Sequence, residues 1–122
     1  MGMCGMNVLV VEDNVDIGNL YHRLLAGHSV TSITDGASAN EYLQTQNVDL
    51  IILDMHLGEV SGMEVLRHAR SCAIHQSTPI MVVSADDSLR TAAREIGIDF
   101  WMTKPIDIDR MYDYLQTVSK AS

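Results

Sequence analysis

The run VDLIILD, residues 48–54, is apolar without alternation until it closes on Asp54. A strand with one face in water alternates polar with apolar residues, whereas a strand covered by helices on both faces does not. A strand over about 48–53 therefore belongs in the middle of a parallel sheet. Three further apolar runs end on chemically capable residues: NVLVV on Glu12 and Asp13, PIMVV on Ser84 and Ala85, and DFWMT on Lys104 and Pro105. As parallel strands of one sheet they would deliver three carboxylates, a hydroxyl and an ammonium to one carboxyl-terminal edge. Open α/β sheets bind their ligands at that edge.

Helical patterns separate the runs. Ile17, Leu20, Tyr21, Leu24 and Leu25 recur at i, i+3, i+4, i+7 and i+8, an apolar stripe that ends near Gly27. SVTSIT, residues 29–34, reads as a weaker strand, followed by an Asp35-Gly36 turn and a short helix through Tyr42 and Leu43. Gly58 and Gly62 bracket a loop before a helix carrying Val65, Leu66 and Ala69. Pro79 opens the fourth strand, and Asp86 and Asp87 can cap a helix to about Ile96. A fifth strand, 99–103, precedes a last helix with the stripe Ile108, Met111, Leu115 and Val118. Five strand-helix units predict a flavodoxin-like doubly wound (βα)5 fold with parallel order 2-1-3-4-5, which sets strands 1 and 3 side by side at the switch point.

A chain of 122 residues makes one domain and buries a core without disulfides or structural metal. Residues 1–6 read as a flexible lead-in, and the domain is expected over 7–120. With 16 acidic and 8 basic side chains the formal charge is −8, which repels a phosphate backbone and argues against direct nucleic acid binding. The start MGMCGMNVLV lacks both a basic segment and a long apolar stretch, so neither a signal peptide nor a membrane span is expected. Cys4 and Cys72 have no CxxC spacing, which points to a reduced, cytoplasmic setting.

Glu12, Asp13 and Asp54 at one edge would repel one another: unit charges about 5 Å apart cost roughly 3 kcal/mol at an effective dielectric of about 20. A hard divalent cation relieves this, and Mg²⁺, which needs only one or two carboxylates and keeps its waters, suits the set better than Ca²⁺. Lys104 adds a mobile positive charge, and Ser84 adds a hydroxyl that can bond an oxyanion. In such a pocket an aspartate can attack phosphorus while cations neutralise the transferring oxygens.

With these residues in place, the chain resembles the receiver domain of two-component response regulators from about Asn7 to Lys120. VVED matches the family's acidic pair, the strand ending at Asp54 its phosphoacceptor, VVSA its switch hydroxyl, and TKP its lysine and proline. The resemblance implies that Asp54 accepts phosphoryl from a phosphohistidine on a sensor histidine kinase or phosphotransfer domain. Asp13, Asp54 and the backbone carbonyl of His56 would hold Mg²⁺, with Glu12 acting through water. Ser84 and the backbone N–H of Ala85 would bond the phosphoryl group, and Lys104 would pair with its remaining oxygen. Ser84 and Trp101 occupy the switch positions, and His56 and Asp86 those that tune the phosphoryl lifetime.

The chain departs from the family's pattern in two places. Gly58 replaces the usual proline and is expected to loosen the loop after Asp54. Trp101 replaces the usual tyrosine or phenylalanine, and its bulk leads us to expect an outward side chain on the partner-binding face of helix 4, strand 5 and helix 5. The implied activity is a switch that catalyses its own phosphorylation and hydrolysis and is not a metabolic enzyme. No DNA-binding segment follows the last helix in this sequence, so output is expected through a protein partner or through domains outside it, as monomer or homodimer. Two alternatives stand beside it: a phosphorylation-independent binding module, and a Mg²⁺-dependent phosphohydrolase, disfavoured because His56 breaks the DxD motif of such enzymes.

Overall fold

The computed structural model describes residues 5–121. The strands β1 (Asn7–Val11), β2 (Ser29–Ile33), β3 (Leu50–Asp54), β4 (Ile80–Ser84) and β5 (Phe100–Thr103) alternate with helices α1 (Val15–Leu24), α2 (Gly36–Thr45), α3 (Gly62–Ser71), α4 (Arg90–Ile96) and α5 (Ile108–Ala121). All strand pairs are parallel and the order is β2-β1-β3-β4-β5, as the sequence predicts.

Period-two alternation sorts each strand's side chains onto two buried faces. Leu9, Val11, Ile51, Leu53, Ile80 and Val82 pack with residues of α2, α3 and α4, whereas Val8, Val10, Leu50, Ile52, Met81 and Val83 pack with residues of α1 and α5. Every residue of β3 and β4 is buried, which explains why their sequences do not alternate. In α1 the stripe buries Tyr21 and Leu25 most deeply. In α5 the stripe starts later than its spacing suggests: Met111, Leu115 and Val118 are buried, but Ile108 is 45% exposed. Ile108 is the first residue of α5, before the helix has closed over the sheet.

Caps set where several helices begin. Asn14 accepts from the backbone N–H groups of Asp16 and Ile17, and Asp35 accepts from that of Ser38. Ser61 and Glu64 close a reciprocal capping box on α3. Asp86, expected as a cap, caps a single 3-10 turn, Asp87–Leu89, that leads into α4.

Of the expected lead-in, residues 1–4 lie outside the described residues. At its end Met6 is only 3% exposed, its N–H donating to His28 Nδ1 and its carbonyl accepting from Ser29. Packing among the described residues therefore extends back at least to Met6, one residue before β1. Cys4 also lies outside the described residues, while Cys72 is half-buried at the end of α3.

Arg70 carries no sequence signal yet ties three segments together. Its guanidinium donates to the carbonyls of His75, Thr78 and Gly97 and pairs with Asp99 at 3.3 Å. His75, assigned no role from sequence, is fully buried between Thr78 Oγ1 and the Gln46 carbonyl.

Candidate functional site

Strands β1 and β3 are neighbours, and each passes its last residues to the same edge. Glu12 follows β1, held by its N–H to the Ile33 carbonyl at 3.0 Å, and Asp54 ends β3. With Asp13 they form a trio whose ligand oxygens all lie within 4.8 Å of one another. Glu12 and Asp54 are each 4% exposed, while Asp13 faces solvent.

Lys104 arrives from the end of β5, its backbone N–H bonded to the Ser84 carbonyl at 2.8 Å, and the Lys104-Pro105 peptide bond is cis. Its Nζ lies 3.5 Å from Glu12 Oε1 and 3.6 Å from Asp54 Oδ2, bridging two carboxylates of the trio. That attraction does not offset burial. Burial first, then the neighbouring Asp54 carboxylate, push the Glu12 carboxyl up to about 7.

The trio fits a hard divalent cation. Its donors are all oxygens, and Glu12 Oε1 is buried with no hydrogen-bond partner. The Lys104 ammonium 3.5 Å away is its ion-pair partner but makes no hydrogen bond to it, and a cation shared by the carboxylates would relieve the cost of burying that acceptor.

Asp54 itself is held by the backbone: the His56 N–H donates to Asp54 Oδ1 at 3.1 Å. Behind it stands a contact that the sequence did not signal beyond a loop bracket. Gly62 starts α3 against β3, and a Cβ there would sit 2.3 Å from the Asp54 carbonyl oxygen. Gly58, in the same loop, has φ of +92°, which proline's ring forbids and glycine reaches without steric cost. The departure from proline is thus a requirement of this loop's path, and the expected loosening is not needed to explain it.

Ser84 is fully buried at the end of β4, beside β3 in the sheet. Its hydroxyl is engaged with the backbone of its own loop, accepting from Asp86 N–H at 3.1 Å and donating to the Asp86 carbonyl at 3.2 Å. Ala85 follows it, exposed. His56 and Asp86 are both exposed and near enough for His56 to lower the Asp86 carboxyl slightly, after the larger effect of hydrogen bonds from Ser88.

The outward placement expected for Trp101 is corrected here. Its side chain is buried, with the residue 4% exposed, and packs in the core layer beneath α2, α3 and α4. The indole N–H donates to Asp87 Oδ1 at 3.0 Å and to Thr103 Oγ1 at 3.3 Å, and the Thr103 hydroxyl donates to the same Asp87 oxygen. Bulk alone therefore predicted the wrong side. An indole can be buried once its polar N–H has an acceptor, and Asp87 supplies one from 14 residues away. Donation from Thr103, then from Trp101, holds the Asp87 carboxyl below its usual range. Replacing Asp87 by alanine is expected to shift Trp101 emission to longer wavelength and to lower the melting temperature. Unchanged emission would show that the indole does not depend on this acceptor.

Fold and site together define a doubly wound α/β domain with an acid pocket and a single lysine at its switch point, an arrangement suited to receiving an anionic group. The chain belongs to the response regulator receiver domain family, which it matches over residues 8–116. It is 32% identical over 121 residues to the response regulator protein PmrA of Pseudomonas aeruginosa, covering 94% of this chain and 53% of that one. It is 34% identical over 110 residues to the transcriptional regulatory protein DltR of Streptococcus agalactiae, covering 87% and 48%. The chain thus spans about half the length of these relatives. Among solved structures it is similar to the receiver domain of the sensor histidine kinase PA1611 from Pseudomonas aeruginosa PAO1, with a TM-score of 0.86 and 25% identity over 95% of this chain and 98% of that one. That structure holds a magnesium ion coordinated in the active site cleft. The protein is a receiver domain of two-component signal transduction. Among the described residues no helix is long and apolar enough to cross a membrane.

Proposed function

We propose that Asp54 is the phosphoacceptor of this receiver domain, taking the group from the phosphohistidine of a sensor histidine kinase or phosphotransfer domain. The observation that carries this reading is the setting of the Asp54 carboxylate: buried, held by the His56 N–H, 3.6 Å from Lys104 Nζ and within 4.8 Å of two further carboxylates. A carboxylate oxygen of Asp54 attacks phosphorus, the new O–P bond forms as the N–P bond to the donor imidazole breaks, and the bonding pair leaves with the imidazole. The backbone N–H of His56 fixes the orientation of the attacking carboxylate.

Asp13, Asp54 and the backbone carbonyl of His56 would hold Mg²⁺, with Glu12 reaching it through water. When bound, the ion neutralises charge on the trio and on the transferring oxygens. Lys104 then shifts from bridging Glu12 and Asp54 to pairing with a phosphoryl oxygen. The backbone N–H of Ala85 donates to another. Ser84 must release the Asp86 backbone to bond the phosphoryl group, so phosphorylation biases the β4–α4 loop between two hydrogen-bond patterns. That loop also carries Asp87, the partner of Trp101, so both switch positions are linked through it. His56 and Asp86, at the mouth, regulate how readily water reaches the phosphoryl group. The altered loop is read by a protein partner on the face of α4, β5 and α5, in the cytoplasm.

Incubation with acetyl phosphate, followed by intact-protein mass measurement, tests the assignment. A single phosphoryl adduct that requires Mg²⁺ and disappears in Asp54→Asn is expected. An adduct that survives Asp54→Asn places the acceptor elsewhere.

A further inference from the structure

The face made by α4, β5 and α5 gathers arginines of a chain that is acidic overall. Of its 8 basic residues, three arginines, Arg90, Arg94 and Arg110, line one cavity of about 140 Å³. Phe100 and Trp101 also border this cavity, whose exposed lining is nearly all polar. Arg90 is half-buried at the start of α4, and its Nε is buried without a hydrogen-bond partner. The Arg110 guanidinium lies 5.3 Å from the Phe100 ring centroid, and Phe100 in turn stacks on Tyr114 with centroids 4.7 Å apart. This stack steadies a long side chain at the cavity wall.

Two of the nearby acids are already engaged. Asp99, also on the cavity lining, pairs with Arg70 and accepts from the Ile80 N–H at 2.9 Å. Asp87, whose charge Arg90 attracts, accepts from Trp101 and Thr103. Among the described residues the ion pairs are made by Arg70 and Lys104, which leaves the three cavity arginines without one.

Three guanidinium groups set against the one Asp99 carboxylate leave the cavity lining net positive, which favours entry of a further anion. Planar, forked donors match a carboxylate. The overall charge of −8 disfavours a nucleic acid backbone. We propose that Arg90, Arg94 and Arg110 receive a glutamate or aspartate side chain from an acidic segment of the domain's protein partner. The inference rests on the reading of this face as the partner surface. It gives that partner a chemistry and sets its carboxylate beside the tie between Asp87 and Trp101.

Trp101 is the chain's one tryptophan and lines the cavity, so its emission reports occupancy. Titration of the full chain with a short amidated peptide alternating glutamate and leucine is expected to shift that emission saturably. The glutamine counterpart is expected to leave it unchanged. The triple variant Arg90→Gln, Arg94→Gln, Arg110→Gln weakens binding by about tenfold or more, as loss of charge-assisted hydrogen bonds requires. If the triple variant fails to fold, the exposed Arg94→Gln alone weakens the titration in the same direction. No saturable shift, an equal shift with the glutamine peptide, or binding retained in the arginine variants overturns the proposal. So does saturation by inorganic phosphate or by duplex DNA at concentrations where the glutamate peptide has no effect. The acetyl phosphate adduct on Asp54 persists in the folded arginine variants, so failure of the cavity is distinguishable from failure of the phosphoryl reading.

Discussion

Replacing Glu12 by glutamine is expected to raise the unfolding free energy of the metal-free protein at pH 8 by on the order of 3 kcal/mol and to leave it nearly unchanged at pH 4. In the unfolded chain Glu12 loses its proton near the ordinary glutamate value of 4.5, whereas in the folded chain burial and Asp54 keep the proton on until about 7. Between these values the folded state binds the extra proton, so stability falls as pH rises. Below 4.5 both states are protonated, and the penalty is absent; above about 7 both are ionised, and it is complete. Glutamine cannot ionise, so the variant's profile flattens across this window. Urea unfolding in EDTA, from pH 4 to 8, measures it. Added Mg²⁺ is expected to stabilise the wild type more at pH 8 than at pH 5, because the ion binds the ionised trio. A wild-type profile that does not fall between pH 5 and 7 would refute the raised carboxyl.

Gly62→Ala is expected to cost about 3 kcal/mol, at the upper end of overpacking costs. The added Cβ would meet the Asp54 carbonyl oxygen at 2.3 Å and the Met55 Cα at 2.5 Å. Both are backbone atoms, so no rotamer change relieves the clash, and either α3 or the end of β3 must move. The Gly62 N–H also donates to the Met55 carbonyl at 3.0 Å, which fastens the helix start to the segment that aims Asp54. A slower phosphoryl adduct from acetyl phosphate should therefore accompany the lower urea midpoint. Ser61→Ala provides the comparison: it removes the cap of the same helix and costs about 1 kcal/mol, without pressing on β3. If the two variants lose adduct rate equally, the effect lies in general helix loosening and not in the position of Asp54.

The acid trio and the lysine were legible because each closes an apolar run. Strand ends are local features, and parallel strands in the order 2-1-3-4-5 bring Glu12, Asp13, Asp54, Ser84 and Lys104 to one edge without further information. Asp54 proved to be the last residue of β3, and Ser84 that of β4. The expectation for Trp101 failed for a different kind of reason. Its side was argued from size, but the outcome turned on Asp87, read from sequence only as a cap.

Arg110 shows the same limit. Arg90 and Arg94 share one helix and are visibly paired in sequence, but α5 brings Arg110 to their cavity from across β5. Gly62 was marked as a loop boundary, and nothing in the chain announced that its missing side chain leaves room for the Asp54 carbonyl.

By itself, then, the sequence determined the fold class, the strand order, the two buried faces and the residues of the acidic edge, because hydrophobic period and strand termini are encoded within a few neighbouring residues. The tertiary structure alone decided the burial of Trp101, the protonation of Glu12, the tight seat of α3 on β3 and the gathering of three arginines. Each of these depends on which distant groups packing brings within a few ångströms. Hydrogen bonding, desolvation and steric exclusion act only over such distances.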